Sequence, residues 1–168
     1  MTLIPSGRAP LIFQIVGYKN AGKTTLTCKL VERFKSDGRV VATIKHDAHD
    51  FEMDRPGTDT WQHQQAGADM TAIASPHRTA WLSRLPLTLD AMIARMDGAE
   101  IILIEGFKQA AFPKLVLLKQ PEDFELLALP NTIAAVVWDE FGEHPPDLTV
   151  FRIDDTEAIY RHLLDNAQ

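Results

Sequence analysis

The sequence predicts an α/β fold with three layers, in which helices cover both faces of a mainly parallel β-sheet. Short apolar runs of strand length alternate with amphipathic segments of helical periodicity. The chain of 168 residues is 45% hydrophobic and 24% charged, as is ordinary for a globular protein. This length suits one core, so we expect a single domain over residues 1–168.

The first three elements form a βαβ unit. Residues 11–16 are a mostly apolar run that is typical of a strand buried on both faces. Apolar residues then recur at helical spacing over 23–35, and Gly38 follows where a left-handed residue ends a helix. Residues 39–45 are the next strand. A crossover helix between two strands of this kind makes them parallel.

The same alternation continues to the end of the chain. The connection at 46–56 is polar, and functional residues often lie on such connections. The patterns predict helices at 58–68, 87–96 and 156–164, and strands at 70–74, 100–105, 115–119 and 133–138.

The charge pattern and the short apolar runs argue against a protein that binds nucleic acids or membranes. The chain has 17 Lys and Arg against 23 Asp and Glu residues, a net charge of −6, and no basic stripe. Its apolar runs are far shorter than the roughly 20 residues that span a bilayer. Cys28 is the single cysteine, so no internal disulfide forms. We expect a soluble cytoplasmic protein that binds neither nucleic acid nor membranes.

A phosphate-binding loop joins the first strand to the first helix. The segment fits the pattern G-x-x-x-x-G-K-[ST] at every specified position and consists of Gly17, Tyr18, Lys19, Asn20, Ala21, Gly22, Lys23, Thr24 and Thr25. Backbone N–H groups of such a loop point at phosphate oxygens, the lysine adds a cation, and Thr24 offers a hydroxyl to Mg²⁺. Lys19 is either a second cation or solvated. We therefore predict a phosphate-loop NTPase fold.

Two acidic residues are candidates to complete the metal site. Phosphate-loop enzymes add an acid at the carboxyl end of a neighbouring strand, and Glu105 directly follows the apolar run 101–104. The alternative is an exposed glutamate at a strand end. Asp47 follows the strand at 39–45 and either reaches Mg²⁺ or caps a loop. We predict Thr24, Asp47 and Glu105 as metal ligands, and Lys23, Asp47 and Glu105 as catalytic residues.

Two histidines flank Asp47. His46 and His49 are spaced so that they could share a transition-metal ion, but the segment lacks helical patterning and thiolates. A polar contact from His46 to substrate or phosphate is the preferred interpretation.

Together these motifs resemble the family of molybdopterin-guanine dinucleotide biosynthesis adaptor proteins called MobB. The phosphate loop is shared by very many proteins. The specificity comes from Lys45-His46-Asp47 and Glu105-Gly106-Phe107-Lys108 in this order. The resembling segments are residues 17–25, 43–50, 54–60, 66–68, 104–108 and 112–116.

The resemblance implies a dimeric GTP-binding adaptor with weak GTPase activity. Its partner would be the molybdopterin guanylyltransferase, which attaches GMP to molybdopterin, and molybdopterin itself is a further candidate ligand. By position, residues 17–25 would hold the phosphates of GTP, with Thr24 on Mg²⁺ and Glu105 in the acidic role. Lys45 and His46 would line the catalytic side with Asp47, and residues 54–59 would face the phosphates or the partner.

Guanine recognition rests mainly on the resemblance. The sequence lacks the Asn-Lys-x-Asp tetrapeptide that reads guanine in many GTPases. Asp139 ends the strand at 133–138, where its carboxylate either accepts hydrogen bonds from guanine or is solvated. Residue chemistry indicates a nucleoside triphosphate, and the resemblance supplies GTP.

Two other functions stay open. A small-molecule kinase would need an arginine-rich lid, whereas Arg78, Arg84 and Arg95 are dispersed along the chain. A metal-delivery GTPase would use His46 and His49. In the favoured GTP-binding role we expect slow hydrolysis, because an unassisted GTPase of this type turns over only about 10⁻⁴ to 10⁻² times per second.

The implied dimer needs a surface where two chains meet. Edge strands carry unpaired N–H and C=O groups that pair readily with another chain. The connection after Glu105 includes Phe112, Pro113 and Lys114. We expect it to carry an exposed strand that pairs with a second subunit.

Overall fold

A six-stranded sheet organises the chain in a computed structural model, which describes residues 9–47, 50–138 and 148–167. Every helix and strand predicted from the sequence is present, and β4 and β8 were not predicted. No helix in these ranges is long and apolar enough to cross a membrane. The elements are β1 (Leu11–Val16), α1 (Lys23–Ser36), β2 (Val41–Lys45), α2 (Asp59–Gln65), β3 (Met70–Ala74), β4 (Thr79–Ser83), α3 (Leu89–Ala94), β5 (Ile101–Glu105), β6 (Lys114–Leu118), a 3₁₀ helix (Pro121–Ala128), β7 (Thr132–Val137), β8 (Thr149–Arg152) and α4 (Thr156–Asp165).

The chain divides into two compact units. The first unit consists of Met1–His46 and Ile93–Gln168, so far as these ranges are described, and contains the six-stranded sheet. The second unit, Asp47–Met92, contains α2 and the hairpin of β3 and β4. A single domain over the whole chain stays a prediction.

All neighbouring strands of the six-stranded sheet run parallel, which confirms the predicted fold class. The strand order is β2-β5-β1-β6-β7-β8, so β1 lies between β5 and β6. Ile15 of β1 is in register with Glu105 of β5, and Glu105 is in register with Lys45 of β2. Because carboxyl ends of parallel strands share one edge, the connections after β1, β2 and β5 all begin there.

Helices α1 and α4 cover one face of the sheet. Leu26, Leu30 and Phe34 of α1 are fully buried against β1 and β5, as their helical spacing predicts. Phe34 meets Tyr160 of α4 edge to face, with ring centroids 4.9 Å apart. Gly38 has φ +76° just beyond α1, as predicted for the residue that ends this helix.

The opposite face is covered over β1, β6 and β7 by the 3₁₀ helix. Leu126 of this helix packs against Val16, Val116 and Leu118. The buried carboxylate of Asp123 accepts hydrogen bonds from the backbone N–H groups of Lys119 and Gln120, at 2.7 and 3.2 Å. These bonds begin the helix where Pro121 can enter its first turn.

The expected exposed strand near Phe112, Pro113 and Lys114 is wrong. Lys114 begins β6, whose two edges pair with β1 and β7, so this strand offers no free edge to a second subunit. The Lys114 side chain is fully buried and donates hydrogen bonds to the carbonyl oxygens of Ala110 and Pro130. Burial lowers the pKa of this ammonium.

The second unit is built around a small antiparallel hairpin. β3 pairs with β4 in the register Met70↔Ser83 to Ala74↔Thr79. Met70 is 54% exposed and Ile73, on the other face of the hairpin, is 57% exposed. Before α2, the hydroxyl of Thr58 accepts a hydrogen bond from the N–H of Trp61 at 3.3 Å and caps the helix.

Candidate functional site

The phosphate loop turns from β1 into α1 through left-handed backbone positions. Asn20 has φ +62° and Gly22 has φ +98°. The N–H of Ala21 bonds the Tyr18 carbonyl at 3.3 Å, and α1 begins with no side-chain cap and no acidic residue in its first turn. Left-handed residues that alternate with right-handed ones turn successive backbone N–H groups toward one concave side of a loop. Such a concave side suits an anion.

A tryptophan from β7 closes the end of the loop where α1 begins. The indole Nε1–H of Trp138 donates to the carbonyl oxygen of Ala21 at 2.8 Å. A Cβ atom on Gly22 would lie 2.7 Å from the Trp138 ring and 2.9 Å from Ile153. Trp138 was not among the site residues predicted from the sequence. Its place at the end of the predicted strand 133–138 was the one signal that it lies at the carboxyl edge of the sheet, beside the phosphate loop.

Lys23 lies across the mouth of the loop. Its ammonium donates to the carbonyl oxygens of Gly17 and Tyr18 at 3.1 and 2.7 Å. Burial lowers the pKa of Lys23; the nearby Glu105 carboxylate opposes this, whereas the ammonium groups of Lys108 and Lys45 lower the pKa further. The charges near the loop are therefore mainly positive.

Thr24 and Glu105, two of the predicted metal ligands, lie in contact with each other. The Thr24 hydroxyl lies 3.1 Å from each carboxylate oxygen of Glu105. Glu105 is only 7% exposed, so the alternative of an exposed glutamate at a strand end is wrong. A hydroxyl and a carboxylate are hard oxygen ligands, and this pair fits Mg²⁺ that also takes phosphate and water oxygens.

The connection after β5 also touches the residue that follows β2. Gly106 has φ +95°, and its N–H donates to the carbonyl oxygen of Ile15 at 3.0 Å. The N–H of His46 donates to the carbonyl oxygen of Glu105 at 2.9 Å, and the His46 ring lies 4.5 Å from the Phe107 ring. His46 is thus at the predicted edge of the sheet, as is Lys45, which is in register with Glu105.

The outer half of the loop is held by side chains from two other connections. The Tyr18 hydroxyl donates to Glu125 of the 3₁₀ helix, and the Lys108 ammonium lies 3.9 Å from the centroid of the Tyr18 ring. Lys119 donates to the Asn20 carbonyl at 3.4 Å. Lys19 itself is exposed.

Several predicted site residues stay predictions. Asp47 belongs to the second unit, and Thr25 is an exposed residue of α1. His49 and Asp139 lie outside the described residues. In the ranges that are described, no group of three or more His, Cys, Asp or Glu side chains is placed to hold a metal ion.

We predict that Gly22→Ala destabilises the protein more than Gly38→Ala does. Both glycines have positive φ, but Gly38 has no atom within 4 Å of an added Cβ. Gly38→Ala should lower the free energy of unfolding by roughly 1–2 kcal/mol through backbone strain alone. Gly22→Ala adds the clash with Trp138 and should cost about 2–4 kcal/mol. Urea unfolding checks both values, and equal losses would contradict the packing of Trp138 on the loop.

Comparisons with known proteins agree on one family. The family model described as "Molybdopterin guanine dinucleotide synthesis protein B" (MobB) matches residues 12–139. A Bacillus subtilis relative, the "Probable molybdopterin-guanine dinucleotide biosynthesis adapter protein", is 35% identical in an alignment of 154 positions that covers 88% of each chain. The Escherichia coli "Molybdopterin-guanine dinucleotide biosynthesis adapter protein" is 33% identical in an alignment of 169 positions, gaps included, that covers 94% of this chain and 90% of the relative.

Solved structures lead to the same family. The crystal structure of Bacillus subtilis MobB superposes with a TM-score of 0.80 at 32% identity, over 94% of this chain and 98% of that one. The MobB homologue from Bacillus stearothermophilus superposes with a TM-score of 0.73 at 31% identity, over 92% and 96% of the two chains. The match therefore extends over nearly the whole chain, both in sequence and in fold, and this chain belongs to the MobB family.

Proposed function

We propose that this chain is a GTP-binding adaptor in the formation of molybdopterin-guanine dinucleotide. Family membership and the adapter names of its relatives support the biosynthetic role. The contact of Thr24 with both oxygens of Glu105, beside the ammonium of Lys23, carries the nucleotide part of the proposal. The proposed partner is the molybdopterin guanylyltransferase in the cytoplasm, with molybdopterin as a further candidate ligand.

In this proposal each residue of the site has a distinct task. The N–H groups of the loop hold the β- and γ-phosphate oxygens, and Lys23 exchanges its two carbonyl partners for those oxygens. Thr24 and Glu105 hold Mg²⁺, which supplies neutralisation of phosphate charge when it is bound. Asp47 completes the metal site or orients a water molecule, and Asp139 reads guanine.

Homodimer formation is also part of the proposal, with the β3–β4 hairpin as the contact surface. An isolated two-stranded sheet is marginally stable, and its outer edges carry backbone groups that pair readily with another strand. Met70 and Ile73 are exposed on its two faces, so a second copy of the hairpin would cover apolar surface as well as backbone. The hairpin is thus proposed as the dimer contact in place of the connection after Glu105.

We predict that Lys23→Ala weakens GTP binding by about 100-fold or more, because the phosphates lose their principal cation. Lys35→Ala removes an exposed lysine from the same helix and should leave the affinity unchanged. Calorimetric titration with GTP and with ATP, in Mg²⁺ and with or without the guanylyltransferase, measures affinity, base choice and coupling to the partner. Unchanged affinity in Lys23→Ala, or no binding by the wild type, would contradict the proposed site.

Glu105→Gln should remove most of the benefit that Mg²⁺ gives to GTP binding. The amide keeps the shape of the carboxylate and its contact with Thr24 but is a poor ligand for a hard cation. We expect affinity in Mg²⁺ to fall by about tenfold, with little change when the metal is chelated. Titrations in Mg²⁺ and in EDTA measure the difference, and an equal loss in both buffers would argue against Glu105 as a ligand.

Ile73→Asp should shift the protein from dimer to monomer, because it places a charge on the proposed contact surface. Leu164→Asp is the control, since Leu164 is an exposed apolar residue of α4. Sedimentation velocity over a range of concentrations measures both variants. A wild type that stays monomeric throughout would refute the dimer, and a dimeric Ile73→Asp variant would exclude the hairpin as its surface.

A further inference from the structure

The connection after β5 makes a turn that its own sequence does not favour. Gly106 and Phe107 both have positive φ, at +95° and +50°. Glycine adopts this backbone freely, but a bulky residue such as Phe107 is strained there. Strain of this kind persists only where surrounding contacts hold the backbone in place. The turn redirects the chain so that Lys108 leaves the sheet edge toward the phosphate loop.

Gln14 supplies those contacts from inside the sheet. Its side chain is fully buried in β1, on the sheet face opposite Ile15. Its amide group donates to the carbonyl oxygens of Gly106 and Phe107 at 3.0 and 2.8 Å and accepts from the N–H of Phe112 at 3.3 Å. A buried amide is costly unless it is hydrogen-bonded, and here two of the bonds go to this turn and the third goes to Phe112, later in the same connection. The side chain therefore serves the shape of the turn.

The turn places Lys108 beside the phosphate loop. Lys108 is half-buried, and its ammonium lies over the face of Tyr18, 3.9 Å from the ring centroid. It is also near enough to act on Lys23, because it is among the cations that lower the pKa of that residue. A third ammonium, that of Lys45, lies near the same carboxylate, Glu105. Glu105 offsets these like charges in part, and a bound anion would offset them further.

The side of the loop on which Lys108 lies decides which phosphate it would meet. In the sheet, β5 and β7 stand on opposite sides of β1. Trp138, at the end of β7, closes the loop near Ala21. Lys108 comes instead from the β5 side, three residues after Glu105, which is the proposed metal ligand between the β- and γ-phosphates. The Lys108 ammonium would therefore meet the terminal, γ-phosphate of a bound triphosphate.

We propose that Lys108 is a second phosphate-binding cation of this site, which contacts the γ-phosphate of a bound nucleoside triphosphate, and that Gln14 is its positioning residue. This inference rests on the proposed nucleotide-binding function. Tyr18 holds the ammonium at the loop through its ring face and thereby limits the conformations that Lys108 must give up on binding. Lys108 thus distinguishes a triphosphate from a diphosphate.

The test compares a non-hydrolysable GTP analogue with GDP, both in Mg²⁺, by calorimetry on the full chain. Lys108→Met should weaken binding of the triphosphate analogue by about tenfold and change GDP affinity by less than about twofold. Lys108→Arg keeps the charge and should retain most of the affinity. Lys119→Met, which removes another ammonium near the loop, should not change the ratio of the two affinities.

Gln14→Met tests the positioning role, because it keeps the length of the side chain and loses all three hydrogen bonds. It should cause the same selective loss, and the double variant with Lys108→Met should lose little more, since both changes remove one interaction. Independent losses in the double variant would overturn the role of Gln14. If Gln14→Met does not fold, Gln14→Asn, which keeps an uncharged amide but is one methylene too short to reach the same partners, takes its place in the same cycle.

The outcomes separate this inference from the function on which it rests. A wild type that binds neither nucleotide refutes the proposed function and the inference together. A wild type that binds both, with equal losses for the two nucleotides or no loss in Lys108→Met, refutes the role of Lys108 alone. In that case the contact with Tyr18 is a packing contact.

Discussion

The site depends on the parallel pairing of β1 with β5. This pairing sets Ile15 opposite Glu105, and the N–H of Gly106 continues it by bonding the carbonyl oxygen of Ile15 at 3.0 Å. Because both strands end at the same edge, the hydroxyl of Thr24 reaches the carboxylate of Glu105 at the end of the neighbouring strand. A register shift of one residue would turn Glu105 to the other face of the sheet, away from α1. A local motif thus becomes a site only through a long-range strand pair.

Contacts from several elements then define the shape of the loop. Trp138 packs on the loop near Ala21, and Tyr18 is held between Lys108 and Glu125 on its outer side. These contacts fix backbone positions that isolated glycine-rich segments would sample only in part. For the proposed nucleotide, a loop whose backbone is already fixed would lose less conformational freedom when phosphate binds. The rigid sheet beneath the loop would then contribute to affinity without touching the ligand.

Sequence patterns predicted the features that are local. The apolar run of β5 predicted both the strand and the position of Glu105, and the spacing between Gly17 and the pair Gly22-Lys23 predicted the loop. What patterns could not indicate depends on distant partners. Gln14 stands within an apolar run, and nothing in periodicity shows that its amide holds a turn more than 90 residues away. Lys114 led to a wrong expectation for the same reason, because a lysine at a strand end suggests exposure until its buried carbonyl partners are known. The strands β4 and β8 were missed because each is recognisable mainly by its pairing.

The cations near the phosphate loop are lysines, and this choice affects whether the site is better suited to binding a triphosphate or to cleaving it. The chain as a whole carries a net charge of −6, yet lysines 23, 45 and 108 lie near the carboxylate of Glu105. An ammonium attracts phosphate as a point charge, whereas the planar guanidinium of arginine makes paired hydrogen bonds that stabilise the transferring phosphoryl group. A loop supplied with lysines is better suited to holding a triphosphate than to cleaving it quickly. Slow turnover is what an adaptor needs, because its bound state must last long enough for a partner to act on it.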